Sequence, residues 1–173
     1  MSRIRNLGIA VATLLLVSAP LSAQAAPAAS KVLKARLTGD QSVPAKVTKA
    51  TGQAHFAVSP DEAQVEFRVT VANIENVVAA HIYLGAPGEN GAIVATLYGP
   101  VAPAGGKKTG VLTSGTISAS NLVGSLAGQP MSALLTAMRA GNAYVSIITD
   151  DGQGSPDERP GDFSSGEIRG QIQ

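Results

Sequence analysis

From residue 31 onward the chain alternates apolar and polar side chains in short runs divided by turn-forming residues. Residues 31–37 set Val32, Lys34 and Arg36 against Leu33, Ala35 and Leu37, the two-residue period of a half-buried strand. Residues 52–59 and 62–73 repeat the pattern on either side of Pro60 and Asp61, whose chemistry suits a turn between antiparallel strands. In the second run Val65, Phe67, Val69 and Val71 share one face, and Glu66, Arg68 and Thr70 the other. Residues 77–84 and 92–98 form a further pair around GAPGENG, where Asn90 and Gly91 are expected to supply the positive φ angles of a tight turn. That loop leads into VATLY rather than into a helix, so it lacks the setting of a phosphate-binding loop. GGKKTG, residues 105–110, reads as another loop kept soluble by its two lysines.

One segment changes period. Met131, Leu134, Leu135 and Met138 fall at i, i+3, i+4 and i+7, with Pro130 placed as a first helical residue and Gly141 as a stop, so a core-facing helix is predicted over 130–140. Ser118 is expected to cap a short helical turn reaching Leu122. Residues 144–149 and 167–172 read as closing strands around the polar loop DDGQGSPDERPGDFSSG. About eight antiparallel strands with one helix predict an all-β domain, a Greek-key sandwich or barrel.

Composition narrows the class. The 173 residues are 45% hydrophobic, 3% aromatic and 14% charged, which describes one globular domain with a small-aliphatic core rather than a disordered chain. A formal net charge of +1 gives no electrostatic footprint for nucleic acid. The absence of cysteine excludes disulfides, thiolate metal sites and a cysteine nucleophile. At the amino terminus Arg3 and Arg5 precede an apolar stretch and then the small-residue segment LSAQAAPAAS, the layout of a secretory leader cut after Ala25. The apolar stretch falls short of the roughly 20 residues of a membrane-spanning helix. The expected organisation is a leader over 1–25, a short segment over 26–30 and a domain over 31–173, exported to the periplasm or beyond. No transmembrane segment is expected after cleavage.

Few residues offer chemistry. With two histidines, His55 and His81, one chain cannot build a three-histidine metal site. His55 shares a strand face with Gln53 and Ser59 and reads as a surface histidine. His81 shares a face with Tyr83 in an otherwise apolar run, so this pair needs a polar partner. Asp150, Asp151, Asp157, Glu158 and Asp162 offer oxygens of the kind calcium takes, but their spacing is not that of the twelve-residue calcium loop, and a solvated loop is expected. No serine sits on a strand-to-helix elbow beside a base. Glu167 and Arg169 alternate with Ile168, a pattern usual for an exposed ion pair.

AHIYLGAPGENGAIV (80–94), LLTAMRAGNAYVSIITDD (134–151) and GEIRGQI (166–172), in this order, resemble the CHRD domain family, found in chordin and in many bacterial exported proteins. The resemblance spans roughly 32–172 and names a domain without naming a reaction. In layout the family is similar to copper/zinc superoxide dismutases. Where CHRD sequences read AHIH this one has Tyr83, and where they read NVHT it has Ser146, Ile147, Ile148 and Thr149. Only His81 matches a family ligand position, so no metal and no cofactor are expected. The resemblance at GEIRGQI implies that Glu167 and Arg169 join His81 and Tyr83 in a polar cluster across the sheet. The function expected is that of a non-enzymatic module binding an extracytoplasmic protein or surface ligand; the alternative is a dismutase-like metalloprotein using His81.

Overall fold

The computed structural model describes residues 32–155 and 158–173; the expected leader and the segment 26–30 lie outside them. Eight strands follow in chain order: β1 (Val32–Thr38), β2 (Thr51–Val58), β3 (Gln64–Glu75), β4 (Val77–Leu84), β5 (Ala92–Tyr98), β6 (Lys107–Ser118), β7 (Ala143–Thr149) and β8 (Ile168–Gln171). One helix, α1 (Met131–Arg139), precedes β7. The strands form one antiparallel sheet ordered β5-β4-β7-β8-β1-β2-β3-β6. Its two outer strands approach each other, and Thr113 Oγ1 on β6 donates to the Leu97 carbonyl on β5 at 3.2 Å, so the sheet nearly closes into a barrel. The all-β antiparallel fold with one helix is the one predicted.

The alternation sets what faces inward. On β1, Leu33, Ala35 and Leu37 are buried while Val32, Lys34 and Arg36 are exposed, and on β3 Val65, Phe67, Val69 and Val71 are buried. α1 adds Met131, Leu134, Leu135 and Met138 to the same core. The helix ends in a Schellman motif: Asn142 N–H donates to the Ala137 carbonyl, Gly141 N–H donates to the Met138 carbonyl, and Gly141 takes φ +69°. Pro130 is the N-cap rather than the first helical residue. Among the described residues no helix is long and apolar enough to cross a membrane.

Two local expectations are corrected. GGKKTG is not all loop, because Lys107 and Lys108 open β6 opposite Glu75 and Ile74. Lys107 Nζ lies 3.4 Å from Glu75. β6 flanks the sheet with its first five residues exposed, so neither face writes an alternation into the sequence. In GAPGENG the left-handed residue is Gly88, at φ +81°, while Asn90 and Gly91 are not left-handed. Gly91 is needed for close approach, since a Cβ there would overlap the Leu84 carbonyl.

Candidate functional site

The outward face of β4, β7 and β8 carries the polar and aromatic residues. The inward positions of β4 are Ala80 and Ile82, so His81 and Tyr83 project outward. Register places His81 opposite Ser146 and Tyr83 opposite Tyr144 on β7, and Ser146 opposite Arg169 on β8. An outward face would ordinarily be wet, yet Tyr144, Ser146 and Arg169 are all buried. The loops 39–46, 85–91 and 159–166 cover them. Asn90 Nδ2 ties two of these loops by donating to the Val43 carbonyl at 2.8 Å, and Ser42 Oγ donates to the Glu167 carbonyl at 3.2 Å.

Four planar groups run across this face. His81 meets Tyr83 edge-on, with ring centroids 6.0 Å apart at 82°. Tyr83 stacks on Tyr144 at 5.0 Å and 4°, and the Arg169 guanidinium carbon lies 3.5 Å from the Tyr144 centroid. β7 lies between β4 and β8, so Tyr144 is held between Tyr83 and a cation. Its hydroxyl accepts from Gly91 N–H at 3.1 Å, and Arg169 Nη2 donates to the Ala86 carbonyl at 3.0 Å. Beside the stack is a recess of about 200 Å³ lined by Ser42, Tyr83, Asn90, Tyr144, Ser146, Ser165 and Arg169.

Burial raises the Tyr83 phenol above its ordinary value, and the neighbouring Tyr144 adds to the rise. Burial lowers His81, whose Nδ1 lies 3.1 Å from Thr96 Oγ1. A histidine with a depressed folded-state pKa favours the neutral form, so the stability it supports is present above the unfolded value of about 6.5 and is lost as pH falls through the folded value. His81→Gln is therefore expected to flatten the fall of the urea unfolding midpoint below about pH 6.5. A profile parallel to that of the parent would show that His81 carries no such linkage.

Glu167 is in a different network from the aromatic row. Its Oε1 accepts from Thr48 Oγ1 at 2.5 Å, and its Oε2 accepts from Thr149 Oγ1 and from Gly161 N–H, each at 2.9 Å. It lies at the wall of a larger open cleft of about 590 Å³ that also involves Thr48, Glu75, Lys107 and Gly161. The structure thus brings His81, Tyr83 and Arg169 into one row of contacts and places Glu167 elsewhere. Glu167 and Arg169 are both buried and form no ion pair with each other, contrary to the exposed pair their alternation suggests. Loop cover, which strand alternation cannot reveal, accounts for the difference.

In the acidic loop, carboxylate oxygens of Asp150, Asp151 and Asp162 gather within 4.8 Å of one another. Arg159 pairs with Asp151 and lies 3.6 Å from Asp162, so a cation from the same loop already faces them. Glu158 is exposed and Asp157 lies outside the described residues. His55, on β2 opposite Lys34 and Arg68, is remote in register from the aromatic row. Sequence reading missed Tyr144, Asn90, Thr48 and Thr149. Tyr144 had a signal, since it alternates with Val145 beside the outward Ser146.

The CHRD domain model matches residues 33–155. The chain belongs to the CHRD domain family. Neither the curated proteins nor the solved structures contain a match to it. The CHRD match takes in His81, Tyr83, Asn90 and Tyr144 and ends before Glu167 and Arg169, whose roles rest on the geometry of this chain.

Proposed function

We propose that this CHRD-domain protein is an exported, non-enzymatic binding module, with residues 1–25 as a cleaved leader, 26–30 as a short lead-in and 31–173 as the domain. It works in the periplasm or outside the cell on an extracytoplasmic protein or surface ligand. The observation that carries the reading is the recess where loops 39–46, 85–91 and 159–166 meet over the row of half-buried Tyr83 and buried Tyr144 and Arg169. Loops held on a rigid sheet are the usual place for contact residues. Because the chain has no cysteine, Glu89→Cys on the exposed 85–91 loop accepts a crosslinker at one position only. Discrete adducts are expected from Glu89→Cys on the exported protein and not from Ser132→Cys on the exposed side of α1. Repeated absence of any adduct from Glu89→Cys would count against the reading.

The dismutase-like alternative needs copper or zinc held by several ligands at about 2.0–2.1 Å. The residues here do not fit that centre. His81 is the one imidazole on this face, Tyr83 ligates well only as a phenolate that burial disfavours, and Ile148 on β7 offers no ligand atom. Protein exposed to copper and zinc and then desalted is expected to carry well under one equivalent of either and to show no superoxide dismutation above buffer. Stoichiometric metal that disappears in His81→Ala would promote the metalloprotein.

A further inference from the structure

Arg169 is 3% exposed, and a guanidinium keeps its charge at any ordinary pH. Buried charges are normally paired with an opposite charge. Even exposed arginines of this chain meet carboxylates: Arg139 pairs with Glu62, and Arg159 with Asp151 and Asp162. Arg169 makes no ion pair with any described carboxylate. Its acceptors are all neutral, namely the Ala86 carbonyl at 3.0 Å, Asn90 Oδ1 at 3.4 Å and Gln171 Oε1 at 3.5 Å. The last two are long for N–H to oxygen bonds, and of the five N–H donors at least Nε–H and one on Nη1 have no described protein acceptor. Glu167, two residues along the strand, has its oxygens taken by Thr48, Thr149 and Gly161. Among the described residues, none that lines the recess beside Arg169 is acidic.

Resting on the binding-module reading, we propose that this recess holds a small monocarboxylate. The carboxylate takes the unused donors of Arg169, and its hydrocarbon part lies against the half-buried Tyr83, since both faces of Tyr144 are already covered by Tyr83 and Arg169. One positive charge in a covered site balances one negative charge, whereas a dianion such as sulfate would leave uncompensated charge out of water. Arginine forms strong paired hydrogen bonds to the planar carboxylate, and aromatic walls with a few placed polar groups are the usual make-up of a small-ligand site. A recess of about 200 Å³ takes a short acid and not a bulky one.

The chain reports on this site by itself, because it has no tryptophan and two of its three tyrosines line the recess. Tyrosine fluorescence of the full chain, at constant ionic strength, is titrated with butyrate, butyramide, sulfate and inorganic phosphate. Saturable binding is expected for butyrate, about tenfold or more tighter than for the neutral amide or either inorganic ion. Arg169→Gln is expected to abolish it. Since Arg169 is buried, Ser165→Asp serves as the second variant: Ser165 is exposed at the rim, and an added carboxylate there should weaken butyrate about tenfold without lowering the thermal unfolding temperature. Equal binding of butyramide, or butyrate binding unchanged in Ser165→Asp, would overturn the proposal. Tighter binding of sulfate or phosphate would overturn the carboxylate assignment and leave the module reading in place. No saturable butyrate binding, in a protein that still crosslinks a partner through Glu89→Cys, would sink this proposal alone; failure of both would sink the module as well.

Discussion

Glu167→Ala is expected to lower the unfolding free energy by about 3–5 kcal/mol, because it strands three donors at once. The carboxylate is 1% exposed and accepts from two threonine hydroxyls and a backbone N–H. A buried donor left without its acceptor costs roughly 1–3 kcal/mol, and the hydroxyls can recover part of that by turning, whereas Gly161 N–H cannot. The loss also unties tertiary structure: Thr48 belongs to the segment before β2, Thr149 ends β7, and Gly161 lies in the loop over the site. Glu167→Gln keeps one acceptor oxygen and should fall between the parent and the alanine variant. Urea unfolding at constant m-value measures the difference. A loss below about 0.5 kcal/mol for Glu167→Ala would class it with ordinary surface substitutions and remove the anchoring role.

Leu135→Ala should cost about 2–5 kcal/mol, the range for a fully buried leucine cut to alanine. Leu135 is 0% exposed, as are its stripe neighbours Leu134 and Met138. The helix has nine residues, too short to persist alone, so its stability comes from docking this stripe. Its far end is fixed by the Schellman bonds and by Arg139, whose charge suits a helix C-terminus and which pairs with Glu62. Thr136→Ala, on the exposed side, should stay within about 0.5 kcal/mol of the parent in the same unfolding experiment. A Leu135→Ala loss as small as that would mean the stripe does not carry the docking.

Where a strand buries one face, as β1 and β3 do, its alternation could be read directly, and the helical stripe was equally plain. β6 escaped because it is exposed on both sides over its first half, so Lys107, Lys108 and Gly110 look like loop residues. The site was legible only in part. His81 and Tyr83 stood out because polar side chains interrupt an apolar strand, and Arg169 did through the resemblance at GEIRGQI. The burial of Arg169 and Glu167 depends on loops far away in sequence, such as Ser42 and Val43 or Ala86 and Asn90, and no local period encodes which loop folds over which strand. The three-carboxylate cluster could be suspected from composition. That Arg159 faces it could not, because Arg159 reaches back eight positions to Asp151 through an irregular loop that has no period to read.

The strand order has a consequence in time as well as in space. β5, β4 and β7 form one run of the sheet and β1, β2, β3 and β6 the other, and the four residues of β8 join them by pairing with β7 and β1. Opposite that joint the runs meet through the Thr113 hydroxyl and a single bridge of Ala95 to Leu122, just past β6, instead of a ladder. Without β8, the β5-β4-β7 run and the β1-β2-β3-β6 run would each have an unpaired edge at this point. The pairing of Thr38 with Arg169 joins residues more than a hundred positions apart, and a topology closed by such distant contacts is expected to fold more slowly than a helical protein of similar size.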